Sequence, residues 1–182
     1  ISKIELESLL LNLEGDQCYI VAFIAANTGM RLGEIIGLTW NDIDFKNCTV
    51  DVNKQWKFIK PSYSNFGTLK SKNSYRTIPV SAKFIKELKK HKKNNPTDMY
   101  NRVAPFDIYG ISKQLNPKLR ELAGISIHEL RHTYATTLIS NGVDFKTAAK
   151  ILGHDVEQTM RTYSHVNDDM VKRATNIIEN IF

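Results

Sequence analysis

Cysteine is scarce in this chain: Cys18 and Cys48 are the only two among 182 residues, and they form no CxxC pair. That leaves no disulfide framework, and it predicts reduced thiols in a cytoplasmic compartment. Long apolar runs are missing too. The longest, Tyr19 to Ala26, is far too short to span a bilayer, so no membrane role is expected. There is also no internal repeat and no low-complexity tract, which excludes solenoids and linkers. The chain opens on a helix signal rather than on a start methionine and a leader, which reads as a fragment of something longer. What is present is an ordinary globular balance, 42% hydrophobic and 24% charged, with a net charge of +6. One packed domain is expected, and the charge admits a polyanionic partner without requiring one.

Helix signals dominate. Ser2 with Glu5 forms a capping box ahead of Leu9, Leu10 and Leu13. Asp16 is the expected cap of a second helix running through YIVAFIAA, apolar on every side and therefore central, and Thr28-Gly29 ends it. RLGEIIGL follows as a short helix. From Cys48 to about Val80 the period changes to two, which predicts a small antiparallel sheet of about three strands whose turns hold Lys70 and Lys72. Ser81 caps a helix ending in the basic run Lys89 to Lys93, where Lys89 and Lys90 are candidates for phosphate contact against the plainer reading of a solvated helix end. Residues 111 to 123 read as helix with a break near Pro117. Four further helical pieces follow, at 128 to 140, 144 to 151, about 155 to 163, and 167 to 181, with Asp144 and Asp155 as caps. The fold class is mainly α with a small antiparallel sheet.

The string HELRH, His128 to His132, supports two incompatible chemistries. As H-E-x-x-H it is the signature of a zinc hydrolase, two imidazoles one turn apart with a glutamate base. The extended form asks for glycine at 135 and histidine at 138, where this chain has Ala135 and Leu138. Glu157 is the only nearby candidate for a later ligand, and Arg131 would repel the metal. As H-x-x-R, the same letters place His128 and Arg131 on one side of a helix, aimed at a phosphate. Two arginines from separate helices, Arg31 and Arg131, can clamp the non-bridging oxygens of a phosphodiester and stabilise the charge that gathers there without a metal.

Four segments carry a resemblance. TGMRLGEIIGLTWNDID (Thr28 to Asp44), TLKSKNSYRTIPV (Thr68 to Val80), HELRHTYATTLISNGVD (His128 to Asp144) and LGHDVEQTMRTYSHV (Leu152 to Val166) resemble, in order, the first arginine box, the lysine hairpin, the H-x-x-R box and the G-H…Y box of the tyrosine recombinases, the phage-integrase family. The resemblance implies the catalytic-domain fold of that family over residues 1–182, with the family's N-terminal core-binding and arm-binding domains outside it. It implies a site-specific recombinase that cleaves and rejoins DNA through a 3′-phosphotyrosine, needing no metal, cofactor or ATP. Tyr163 would be the nucleophile, Arg31 and Arg131 the charge clamp, and His128 and His154 its partners. Lys70 would be the general acid, with Lys72 the alternative. Glu34 and His132 would support, and Lys72, Arg76, Lys89 and Lys90 would touch DNA. His154 and Tyr163 are nine residues apart, so the chain must bend near one of them if both are to reach one phosphate.

The partners implied are duplex att sites, further protomers in a tetrameric synapse, and an excisionase or host DNA-bending protein. The apolar end of the last helix (Ile177, Ile178, Ile181, Phe182) would pack in cis or exchange in trans. Integration or excision of a phage or mobile element is the expected role, with Xer-like chromosome or plasmid resolution as the alternative. A non-catalytic DNA-binding module and a type IB topoisomerase are more distant rivals.

Overall fold

The computed structural model describes residues 1–59, 63–163 and the single positions 171, 175, 178 and 181. Three helices come first: α1 (Lys3–Asn12), α2 (Tyr19–Thr28) and α3 (Leu32–Ile36). The strands β1 (Ile43–Asp44), β2 (Thr49–Val52), β3 (Gln55–Ile59), β4 (Tyr63–Gly67) and β5 (Arg76–Pro79) follow. Then come α4 (Ala82–Asn94), α5 (Ile108–Ala123), α6 (Ile127–Ser140), α7 (Phe145–Leu152) and α8 (Val156–Tyr163). The mainly helical reading holds. The expected last helix, with its apolar end, falls largely outside the described residues. Among them, no helix is long and apolar enough to cross a membrane.

Most of α2 is buried and it packs against α6, which makes it the central helix that its all-round apolar composition predicts. Its cap differs from expectation. Asp16 accepts from the Cys18 amide (2.8 Å) and pairs with Lys118, so it closes the preceding turn and ties it to α5, and α2 starts at Tyr19. Pro117 does not break α5, which runs unbroken for 16 residues from an Asp107 cap. The proline costs one backbone bond, but Ile111, Leu115 and Leu119 bury one stripe of the helix on both sides of it, and packing outweighs that loss.

The sheet also differs. Instead of one sheet of about three strands there are two: β1-β2-β5, antiparallel, and the separate hairpin β3-β4. In the first, Val50 pairs with Ile78 and Val52 with Arg76, so Arg76 starts β5 on the inward face beside Ile78. The hairpin packs on α3, and Gly37 makes that approach close. A Cβ there would lie 2.7 Å from the Trp56 nitrogen and 2.8 Å from the Gln55 carbonyl carbon, both rigid backbone. Gly37→Ala is therefore expected to lower stability by about 1–3 kcal/mol in urea unfolding, the usual range for forced overpacking. An unchanged midpoint would show that the hairpin yields freely.

The main core fills the space between α1–α5 and the three-stranded sheet. A smaller cluster gathers Ala135, Ile139, Ala148, Leu152 and Tyr163 from α6, α7 and α8. The side chains that matter for function lie where these two cores meet.

Candidate active site

Three short backbone devices aim the polar side chains. Arg31 is the N-cap residue of α3, with its amide on Glu34 Oε2 (2.9 Å) and its guanidinium on Glu34 Oε1 (3.0 Å). Ser126 and Glu129 form the capping box of α6, the Ser126 amide donating to Glu129 Oε2 at 2.7 Å. The glutamate of HELRH is thus occupied in starting the helix that carries His128, Arg131 and His132. The third device is the turn between α7 and α8. Gly153 takes φ +69°, which favours glycine, and a Cβ there would sit tightly against Arg76 Nη1 at 3.0 Å and the Asn73 carbonyl oxygen at 3.1 Å. This turn is the bend that the His154–Tyr163 spacing demands, with His154 in the turn and Tyr163 eight residues into α8.

Arg131 is buried, with 2% of its surface exposed. It donates through Nη1 to the Gly29 carbonyl, and through Nη2 to the Leu152 carbonyl (2.6 Å) and to His154 Nε2 (2.8 Å). Burial, then the charges of Arg31 and Arg76, push its pKa down to about 9. Burial, then the charges of Arg131, Arg31 and Arg76, push His154 down to about 4. His154 is therefore neutral at physiological pH. With Nε2 accepting from Arg131, its proton sits on Nδ1, an atom that is buried without a partner among the described residues.

Glu34 balances part of this charge. Burial would raise its carboxyl, but the hydrogen bonds and charge of Arg76, then of Arg31, outweigh that and hold it ionised. Arg76 is not on the surface as expected of a DNA contact. It is 8% exposed, with Nη2 on Glu34 Oε2 (2.8 Å) and Nε on the Ile151 carbonyl (2.7 Å). The signal was present in the sequence: Arg76 alternates with Ile78 and so shares its inward face.

Tyr163 is 1% exposed. Its hydroxyl meets His132 Nδ1 at 2.9 Å, and His132 in turn meets His128 edge to face, with ring centroids 4.7 Å apart. Burial raises the Tyr163 phenol, with Arg131 acting against it, while burial, His128 and Arg131 lower His132. The phenol and the His132 ring are thus held together by one hydrogen bond, and this contact to the nucleophile candidate had no signature in the spacing. His128 is exposed. Lys70 and Lys72 are exposed at the bend between β4 and β5, with the buried Leu69 anchoring its near end. Lys89 and Lys90 take partners outside the cluster, the Phe45 ring and Glu87 respectively.

The arrangement sets two guanidiniums on one buried carboxylate and a third, that of Arg131, against the His154 imidazole, with a phenol alongside. Such a site suits a phosphodiester, whose oxygens supply the missing negative charge and acceptors. Its acid sensitivity follows from His154. Because the folded pKa is about 4 against 6.5 for the ordinary group, the stabilising contribution is complete above pH 6.5 and is lost as pH falls from 6.5 toward 4. His154→Gln should reduce the stability lost between pH 7 and 4.5 by about 2 kcal/mol relative to the unsubstituted chain. Identical pH slopes in urea titrations would refute this.

Comparison with known proteins places the chain. The family model described as "Phage integrase family" matches residues 1–170. A "Tyrosine recombinase XerC-like" protein of Caldanaerobacter subterraneus subsp. tengcongensis is 28% identical, over 97% of this chain and 52% of its own length. The "ICEBs1 integrase" of Bacillus subtilis (strain 168) is 27% identical, over 90% of this chain and 48% of its own. The chain spans about half the length of these curated relatives. Among solved structures, the Tn1549 transposon integrase in complex with transposon right end DNA superposes with a TM-score of 0.80 at 21% identity, covering 98% of this chain and 65% of that one.

Proposed function

Because the chain belongs to the phage integrase family, we propose that it is the catalytic unit of a site-specific recombinase that cuts and rejoins duplex DNA through a phosphotyrosine. The observation that carries this reading is the convergence of Arg131, His154 and the Glu34-held Arg31 on one electropositive point beside the Tyr163 cluster. The Tyr163 oxygen bonds to phosphorus as the bond to O5′ breaks. Arg31 and Arg131 neutralise the charge gathering on the non-bridging oxygens, and His154, held against Arg131, assists phosphate binding. His128 assists proton transfer as the phenolic proton leaves, and Lys70 gives a proton to the departing 5′ oxygen, with Lys72 the alternative donor. Attack by a 5′-hydroxyl of the partner strand reverses the steps, so the energy of the phosphodiester is kept in the protein–DNA bond.

The exposed Lys70 and Lys72 suit a turn that is placed against the scissile phosphate when DNA binds. The buried Tyr163 hydroxyl must leave His132 to attack. The partners are duplex recombination sites and further copies of the chain, with an excisionase or DNA-bending protein setting direction. Movement of a mobile element is the role we favour, on the likeness to the transposon integrase. The XerC-like relative, matched over nearly the whole chain, supports chromosome or plasmid resolution as the second reading.

The test is a nicked duplex carrying the recombination site, incubated with the protein in EDTA. A covalent protein–DNA adduct whose linkage maps by mass spectrometry to Tyr163 is the expected product. No adduct, or one that needs a divalent ion, would sink the reading. Junctions sequenced from the host chromosome would separate the two biological roles.

A further inference from the structure

Arg76 has no part in the chemistry above, yet its guanidinium reaches three segments of the site. Nη1 donates to the Ser74 carbonyl (2.8 Å), in the turn that carries Lys70 and Lys72. Nη1 and Nη2 together grip both oxygens of Glu34, at 3.3 and 2.8 Å. Nε donates to the Ile151 carbonyl (2.7 Å), two residues before Gly153 and three before His154. Its side chain is 1% exposed, and Glu34 is 2% exposed. Glu34 is the same carboxylate that receives both the amide and the guanidinium of Arg31.

We propose that Arg76 is a positioning residue that fixes Arg31 through Glu34, and the lysine-bearing turn through Ser74, relative to the turn that holds His154. This inference rests on the cleavage reading and names a residue that reading does not use. The physical argument is geometric. A lone carboxylate accepting from Arg31 could swing with it, because that guanidinium is one-third exposed. The forked grip of Arg76 removes this freedom by fixing both oxygens of Glu34 in a plane set by β5. The remaining donors of Arg76 then tie β5 to the end of α7, so three separate segments keep one spacing. Lysine at position 76 would supply charge to Glu34 but no fork, and it could not also reach the Ser74 and Ile151 carbonyls.

The experiment compares Arg76→Lys with the unsubstituted chain on the nicked duplex, reading DNA affinity and the single-turnover cleavage rate separately. Affinity should stay within about threefold while cleavage slows about 100-fold, the scale expected when a charged group is misplaced by an ångström. A purely structural role would not predict the second effect. Placed in an Arg31→Ala background, Arg76→Lys should cost clearly less than the roughly 100-fold it costs alone, because one of the groups it positions is already gone. Wild-type cleavage by Arg76→Lys, or losses that multiply in the double variant, would overturn the positioning role while leaving the cleavage reading intact. Failure of the unsubstituted chain to form any adduct would sink both together. Should Arg76→Lys melt before it can be assayed, Glu34→Asp, too short to span both guanidiniums, takes its place in the same two measurements. Intact affinity with slowed cleavage would again support the positioning role, and wild-type cleavage would overturn it.

Discussion

Tyr163→Phe is expected to abolish the covalent adduct, lowering cleavage by at least about 10⁴-fold, because no other group can take the place of the lost nucleophilic oxygen. DNA affinity should hardly change, since the hydroxyl is buried against His132 rather than presented to a ligand. Stability should fall by only about 1 kcal/mol, the net worth of one hydrogen bond, while the ring continues to fill the space among Ala135, Ile139, Ala148 and Leu152. This combination is diagnostic: a silent fold, intact binding and no chemistry. An adduct that survives the substitution would mean that another residue attacks, and the assignment of Tyr163 would fall. Thermal melts and filter binding on the same preparation make the three readings comparable.

Arg131→Lys should do more damage than its conserved charge suggests. The guanidinium serves the Gly29 carbonyl, the Leu152 carbonyl and His154 Nε2 at once, from a site with 2% exposure. A single ammonium cannot lie in line with all three. One carbonyl is left buried without its donor, at about 1–3 kcal/mol, which urea unfolding would register. Cleavage should drop by about 10²–10³-fold, the range for losing one preorganised donor to a developing oxyanion. Near-native kinetics in that variant would show that charge alone suffices and that the fork is dispensable.

Much of this was legible because the informative residues act over one helical turn. Ser2–Glu5 and Asp144 announce their helices, and the separation of His154 and Tyr163 requires the bend that Gly153 makes. What escaped were pairings between distant segments. Asp16 looks like a cap until Lys118, 102 residues later, is seen to claim it. Arg76 alternates with Ile78 and so points inward, but its ion pair with Glu34, 42 residues earlier, has no mark in the spacing. One sheet became two because β3 and β4 pair with each other, leaving β2 to pair with β5. Pro117 misled in the opposite sense, since a local rule was overridden by the apolar stripe packed on both sides of it.

The glutamate of HELRH shows how two chemistries come to share five letters. Glu129 is the third residue of α6, where its carboxylate caps the helix, and the two histidines stand on neighbouring turns.

Arg131, finally, has no carboxylate of its own among the described residues, and Glu34 is shared by its two neighbours. A cation kept this dry attracts any small oxyanion in solution. Phosphate and sulfate should therefore act as competitive ligands, warming the melt of the DNA-free protein while slowing its strand cutting, where chloride at equal ionic strength does neither to the same degree. A phosphate or sulfate buffer would then hide the binding that a DNA-cleavage assay sets out to read.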